Sequence, residues 1–266
     1  MALAAPLAAQ DDAIATSQGD AVIHPIGHAS VLITWNGKRI LVDPAPAPGG
    51  GAARGAAGGG GGRGAGGGGG RGAGSTPPPP PAPEVIAGFK ALGTPDLILI
   101  GHAHGDHFNA ALLQAIAGPD TVLGVPQIVY DGLPDALRAK ATIMANGDTS
   151  TLSGIDVQAV AAYNITPERL RNHPEGVGNG YVVTLGGKRF YFAGDTEAAP
   201  ELTHLANIDV AFIPMNQPTE TPEAAAQWVK EFKPKIVYPY HYSNSDLTAF
   251  VQAVGDASEV RLRKWY

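Results

Sequence analysis

The chain has 266 residues, 44% of them apolar, and a formal charge of −6. That suffices for one α/β domain with a sizeable core, and the mild acidity argues against a nucleic-acid backbone as partner, which favours a basic face. There is no cysteine, so disulfides and thiolate ligands are excluded and any metal must sit on nitrogen and oxygen.

The N-terminus opens on small apolar residues, MALAAPLAAQ, followed by the polar DDAIATSQGD. This lacks the basic start of a complete export signal and is short for one. Two readings stand for residues 1–20: a signal-peptide remnant of a periplasmic or secreted protein, or a flexible N-terminus of a cytoplasmic one. No apolar run reaches the roughly 20 residues of a membrane-spanning helix. A single domain is expected over residues 21–266.

Within it, SVLITWNGKRILVDP (30–44) places two apolar runs around Asn36-Gly37, a type I′ hairpin signal. Composition then breaks at about 45–83, where GGGGGRGAGGGGGRGAG precedes TPPPPPAP. Glycine-rich chain cannot recover its ordering entropy by burial, and a proline run favours an extended form. A disordered insertion is expected, lying inside the domain because Val22–Pro44 supplies only two convincing strands. Its sparse arginines, Arg63 and Arg71, are a weak nucleic-acid signal.

Further on, DLILIGH (96–102) reads as a strand ending in His102, followed by a helix over Asn109–Ala117. DVQAVAAYN (156–164) is a strand, and GYVVTLGGKRFYFAGDT (180–196) is a second hairpin turning at Gly186-Gly187. A helix over Ala198–Ala206 leads to the strand DVAFIPMN (209–216). The helix Pro222–Phe232, with its stripe of Ala225, Trp228, Val229 and Phe232, leads to the strand KIVYPYH (235–241), ending in His241. A last helix is expected over Asp246–Val254. The two hairpins share one pattern: strand, Gly-Lys-Arg, strand, then Asp43 or Asp195. Each half later delivers a histidine from a strand end. Two mixed sheets packed face to face with helices outside, an α/β (α+β) architecture, fit this quasi-repeat better than a doubly wound parallel sheet.

The segment HAHGDH concentrates His102, His104, Asp106 and His107 just past a buried strand. Neutral imidazoles and a carboxylate suit zinc and similar divalent ions. Residues two apart on an extended segment point the same way, so His102 and His104 can converge on one ion. Asp106 and His107, past the turn at Gly105, can serve a second.

HAHGDH, GDT at 194–196 and YHY at 240–242 together resemble the metallo-β-lactamase-fold hydrolases, whose signature is H-x-H-x-D-H. IGHASVLI (26–33) with LVDP (41–44) is similar, more narrowly, to the branch containing L-ascorbate-6-phosphate lactonase. The resemblance runs from Val22 to Tyr266 outside the insertion. It implies a four-layer αββα sandwich and two divalent metal ions, Zn(II) foremost, with Mn(II), Ni(II) and Fe(II) open. It assigns His102 and His104 to the first metal, Asp106, His107 and His241 to the second, and Asp195 to both. The family's remaining histidine, at a strand end before the bridging aspartate, is missing: VQAVAAYN ends in Tyr163-Asn164. Either His173 folds back as a ligand, or Asn164 or water fills the position. The resemblance also places His28 near the site mouth, as a substrate-contacting or proton-shuttling residue or a structural one. Asp43 is expected to orient a histidine N–H. Asn216, Tyr240 and Asn164 are candidates for the substrate pocket. His24 and His204 have no motif around them.

The function these readings imply is hydrolysis of an ester, lactone or phosphoester in a small-molecule substrate. Bound ions lower the pKa of water from near 16 towards about 7, making hydroxide available for attack at neutral pH. Asp106 or Asp195 would accept or orient its proton, with His28 or His241 assisting the leaving group. No serine nucleophile elbow or P-loop competes for the role. Two alternatives remain: a non-catalytic metal-binding or interaction protein, and a di-iron redox enzyme. The complete ligand set argues against the first. The second generally brings a carboxylate-richer set and a flavin partner domain, neither of which is seen. An oligomer is left open.

Overall fold

The computed structural model describes residues 11–46, 80–215 and 220–266. Two seven-stranded sheets follow strict sequence order. The first contains β1 (Asp12–Thr16), β2 (Gly19–Gly27), β3 (Ser30–Trp35), β4 (Lys38–Val42), β5 (Leu97–Leu99), β6 (Val122–Val125) and β7 (Ala141–Ile143). The second contains β8 (Thr149–Leu152), β9 (Ile155–Ala162), β10 (Gly178–Leu185), β11 (Lys188–Phe192), β12 (Val210–Pro214), β13 (Ile236–Tyr240) and β14 (Glu259–Val260). Strands β1 to β4 pair antiparallel and β4 to β7 parallel. The same switch recurs at β11 in the second sheet. The quasi-repeat therefore extends to the topology of whole sheets.

Both hairpins turn as their residue types require. Asn36 and Gly37 have φ of 48° and 74°, and Gly186 and Gly187 have 51° and 81°, the left-handed pair that defines a type I′ turn. The Lys-Arg that follows each turn is used identically. Lys38 Nζ and the Arg39 N–H donate to Asp96 at 3.2 and 2.9 Å. Lys188 Nζ and the Arg189 N–H donate to Asp209 at 3.3 and 2.9 Å. Each device locks the hairpin's second strand to the start of the next parallel strand. It thereby fixes where that second strand exits, at Asp43 in one half and Asp195 in the other.

Alternation along the strands divides the apolar residues between two faces. Ile23, Val31, Ile33, Leu97, Leu99, Tyr181, Phe190, Phe212, Tyr238 and Trp265 fill the space between the sheets. On the far side of the first sheet, Leu41, Ile98 and Leu123 pack under α1 (Pro83–Ala91), α2 (Ala110–Ile116), α3 (Gln127–Gly132) and α4 (Asp135–Arg138). On the far side of the second, Tyr191, Ala211 and Ile213 pack under α5 (Pro222–Phe232) and α6 (Leu247–Val254). The result is an αββα sandwich. The caps are local: Asn109 accepts from the Leu112 N–H at 3.0 Å, Thr221 from Ala224 at 3.1 Å, and Asp246 from Thr248 and Ala249 at 2.9 and 3.0 Å.

Some expectations change. Residues 12–20, grouped with a flexible N-terminus, instead form β1 and the start of β2, with Ile14 buried. Asp12 is tied to Arg263 at 2.5 Å and to the Tyr238 hydroxyl at 2.9 Å. The first ten residues lie outside the described residues, as does most of the insertion. At the insertion's edges Ala45 is already buried and α1 begins at Pro83. The helix expected over 198–206 is a 3-10 turn, Pro200–His204. Among the described residues, no helix is long and apolar enough to cross a membrane.

Candidate metal centre

The site residues emerge where strands end. His102 follows β5, Asp43 follows β4, Asp195 follows β11 and His241 follows β13, while His28 occupies the β2–β3 turn. Four residues here hold a left-handed backbone that side chains disfavour: His28, Asp43, His241 and Ser243, with φ of 53°, 45°, 47° and 44°. Their surroundings hold them there. The His241 N–H donates to the His28 carbonyl at 3.0 Å, the His28 N–H to the Trp265 carbonyl at 3.0 Å, and the Asp43 N–H to Leu99 at 2.9 Å.

Six histidines and two aspartates form two adjoining groups. In the first, His104 Nδ1 lies 3.0 Å from His102 Nε2 and 3.2 Å from His173 Nε2. Asp195 Oδ2 completes it, 3.3 Å from His173 Nε2 and 3.7 Å from His102 Nε2. Four donors about 2.1 Å from a tetrahedral ion stand about 3.4 Å apart, and this group fits that spacing. In the second, Asp195 Oδ1 lies 3.1 Å from His107 Nε2 and 3.2 Å from His241 Nε2. Asp106 Oδ2 lies 3.7 Å from His241 Nε2 and 3.0 Å from His28 Nε2. The two oxygens of Asp195 thus face different groups. Asp195 Oδ1, His107 Nε2 and His241 Nε2 are buried and converge without a hydrogen bond among them. Lone pairs gathered in this way are the arrangement a cation requires.

Buried neighbours orient the donors. Asp43 Oδ2 accepts from His107 Nδ1 at 2.9 Å, and its Oδ1 accepts the Gly101 N–H at 2.7 Å. That puts the His107 proton on Nδ1 and turns the Nε2 lone pair into the site. Tyr240 Oη accepts the Gly194 N–H at 2.8 Å. Asn164 donates its N–H to the His173 carbonyl at 2.9 Å and its Nδ2 to the Arg169 carbonyl at 3.1 Å, and that Nδ2 lies 3.2 Å from His173 Nδ1. Glu197 accepts the Ile165 and Thr166 N–H groups at 2.7 and 2.6 Å and Arg169 Nη1 at 2.9 Å, tethering the loop that carries His173.

The charges follow from this packing. Burial pushes Asp195 upward, but His241 and His107 outweigh it and hold the carboxyl well below its usual range. Asp106 is lowered in the same way, by His241 and His28 against its burial. His107 is driven well above an ordinary histidine, because Asp195 and Asp43 overcome its burial. His102, His104 and His28 are lowered, in each case first by burial. His102 and His104 are thereby kept neutral beside ionised aspartates, the protonation state a metal ligand set needs, whereas His107, between two carboxylates, holds a second proton that a cation at its Nε2 would displace.

All seven positions named for the metals, His102, His104, Asp106, His107, His173, Asp195 and His241, meet here, and His28 joins them. Of the substrate-pocket candidates, Tyr240 and Asn164 are fully buried beside the site; the Tyr240 hydroxyl is engaged by Gly194 and Asn164 Nδ2 by the Arg169 carbonyl, while Asn164 Oδ1 has no hydrogen-bond partner. Asn216 lies outside the described residues. His24 pairs with Asp11 at 2.6 Å away from the site, and His204 is exposed. Sequence reasoning missed Glu197 and Tyr266. Glu197 is signalled only by its place directly after GDT. Tyr266, whose hydroxyl is 2.6 Å from His28 Nδ1, has no motif around it.

An αββα domain with a two-group histidine–aspartate centre at its strand ends defines a class of metal-site proteins. The model of the beta-lactamase superfamily domain matches residues 22–241, and the chain belongs to that superfamily. It is similar to a UPF0173 metal-dependent hydrolase of Thermococcus kodakarensis, 33% identical over 62% of this chain and 77% of that one. Among solved structures it is similar to a protein described as a metal-dependent hydrolase from Parabacteroides distasonis. The identity there is 33%, the TM-score 0.76, and the match spans 96% of this chain and 99% of the other. A metallo hydrolase from Ignicoccus hospitalis, at 20% identity and TM-score 0.62 over 91% and 94% of the two chains, shares the fold.

Proposed function

We propose that this protein is a metal-dependent hydrolase that uses two divalent ions, Zn(II) foremost, to cleave an ester, lactone or phosphoester in a small molecule. The observation that carries the reading is the division of Asp195, Oδ2 toward His102 and His173 and Oδ1 toward His107 and His241. A carboxylate buried between two converging donor sets has little other use than to join two cations. Membership of the superfamily and similarity to metal-dependent hydrolases support the reaction class.

In this reading His102, His104, His173 and Asp195 hold one ion, and Asp106, His107, His241 and the other oxygen of Asp195 hold the second. Such ions polarise the scissile group and lower the pKa of water towards about 7. Asp43 keeps the His107 proton on Nδ1. Asp106, whose side chain is 31% exposed, is the carboxylate open to a proton from the nucleophile. His28, with Nε2 against Asp106, is placed to supply a proton toward the leaving group.

Metal analysis of the purified protein, paired with a panel of lactones, carboxyl esters, phosphomonoesters and phosphodiesters, tests the reading. About two zinc ions per chain and chelator-sensitive turnover of at least one substrate are expected. A chain that binds no divalent ion overturns it.

A further inference from the structure

Each group of the metal centre draws on both sheets. His102, His104, Asp106 and His107 leave the first sheet after β5, whereas His173, Asp195 and His241 follow β9, β11 and β13 of the second. The donor spacing in both groups therefore depends on how one sheet is set against the other. The core between the sheets is built from apolar side chains such as Val31, Leu99, Val183 and Phe212. Apolar burial is non-directional. It holds the sheets together without by itself fixing their offset to the roughly 0.5 Å that a ligand set requires.

A set of directional bonds crosses that core beneath the site. Asn179 and Tyr181 stand two apart on β10, so both point inward from the second sheet, and both are buried. The Tyr181 hydroxyl donates to the Ile100 carbonyl at 2.9 Å, with the Gly124 carbonyl of β6 3.2 Å away. Asn179 Nδ2 donates to that hydroxyl at 3.2 Å and to the Met144 carbonyl, just after β7, at 2.8 Å. The Asn179 N–H donates to the Gly101 carbonyl at 2.8 Å, and Asn146 Nδ2 donates to Asn179 Oδ1 at 2.7 Å. The two consecutive carbonyls that precede His102 are thus both held by β10. On its other side β10 pairs with β11, Tyr181 opposite Phe192, and β11 runs out to Asp195. A few residues of backbone and this bridge connect His102 with Asp195.

We propose that Tyr181 is a positioning residue that sets the offset between the two halves of the metal centre, its hydroxyl pinning the exit of β5 to the strand beside the one that delivers Asp195. This rests on the metal-binding reading above. Tyr181 lies beneath the donors, not among them, and acts through the Ile100 carbonyl. A phenylalanine would fill the same space in the core, so packing alone does not call for the hydroxyl. What the hydroxyl adds is direction, the registry role that a buried polar group can serve. Without it the chain entering HAHGDH keeps its link to β10 through the Asn179 N–H, and His102 and His104 gain freedom to shift against Asp195 and His173.

The test uses the full chain with Zn(II) and Co(II), the visible absorption of bound Co(II) reporting the geometry of its donors. Tyr181→Phe keeps the ring and removes the bridge. Val183→Ala, on the same face of β10 and buried in the same core, opens a cavity and takes no part in the bridge. Urea unfolding of the metal-free proteins should find both variants folded and less stable than the wild type. Calorimetric titration should find Zn(II) bound about tenfold more weakly by Tyr181→Phe, with its Co(II) bands shifted. Both readouts should be unchanged in Val183→Ala. Wild-type affinity and bands in Tyr181→Phe overturn the proposal. So do equal changes in the two variants, which would make the effect one of general stability. Should Tyr181→Phe fail to fold, Asn179→Ala keeps the Tyr181 ring and removes the bonds from Nδ2. It should reproduce the weaker binding and the shifted bands, and wild-type behaviour there overturns the proposal. If the wild type binds neither ion, the metal reading fails by itself, and hydrogen exchange of the metal-free proteins decides the bridge. Referred to each variant's own unfolding equilibrium, the Asn179 N–H should exchange about tenfold faster in Tyr181→Phe than in Val183→Ala. Equal rates overturn the proposal.

Discussion

His107 donates its Nδ1 proton to Asp43 across 2.9 Å, and neither side chain reaches solvent. Asp43 also receives the Gly101 N–H, so it orients the loop and one of its histidines at once. Asp43→Ala leaves two buried donors unpaired, at about 1–3 kcal/mol each. It also frees His107 to protonate on the nitrogen that faces the site. Stability should fall by about 2–4 kcal/mol and metal affinity by roughly 10- to 100-fold. Thermal melting and zinc titration check this; a variant that melts and binds as the wild type does would remove Asp43 from the design.

At Gly101 the chain that leaves β5 lies directly against β10 of the other sheet. A Cβ there would stand 2.8 Å from the Asn179 carbonyl oxygen. That oxygen cannot retreat easily, because the Asn179 N–H donates to the Gly101 carbonyl at 2.8 Å. Gly101→Ala should force the strands apart at the base of the HAHGDH loop. The expected cost is about 1–3 kcal/mol in denaturant unfolding, with lowered metal occupancy. Unchanged unfolding would mean the sheets yield there without penalty.

The divided carboxylate of Asp195 gives a prediction about stoichiometry. Removing an amino acid that serves one group should cost one ion, and removing Asp195 should weaken both. Elemental analysis after dialysis should find about one zinc retained in His104→Ala and less than that in Asp195→Ala, with activity lost in the latter. Full zinc content in Asp195→Ala would contradict its placement between the groups.

The sequence made the repeat readable because its punctuation is chemical. Asn36-Gly37 and Gly186-Gly187 permit only one kind of tight turn, and the aspartates and histidines follow apolar runs that have to be buried. What stayed hidden depends on tertiary packing. β1 is a short polar-edged strand secured by Arg263, more than 200 positions away. Helices α3 and α4 span only Gln127–Gly132 and Asp135–Arg138, too short to show a period. His173 was left open because no spacing rule reports that Glu197 draws a loop of irregular chain over the site. Tyr266 was invisible for the same reason: its role lies in reaching His28, and reach is not written in local sequence. For Asn164 and Tyr240 a strand-end position reports nearness to the site but not exposure: both are fully buried there.

Glu220 offers a test of buried charge away from the metals. Burial pushes its carboxyl up to about 7 from 4.5, against the pull of the Ala198 and Thr221 N–H groups, with Glu197 adding to the rise. The folded protein therefore holds this proton to higher pH than the unfolded chain does. Between about pH 4.5 and 7 the native state binds more protons, so stability falls as pH rises through that window. The favourable contribution is complete below about 4.5 and gone above about 7, and a shift of that size corresponds to roughly 3 kcal/mol. Glu220→Gln stays neutral throughout and keeps one carbonyl oxygen for a backbone donor. Urea unfolding of metal-free protein at pH 5 and pH 8 isolates the effect, because the histidines and other carboxylates titrate alike in both proteins and cancel in the difference. The variant should gain on the wild type by about 2–3 kcal/mol between pH 5 and pH 8. A difference that stays constant between the two pH values would show that Glu220 ionises as freely in the fold as outside it.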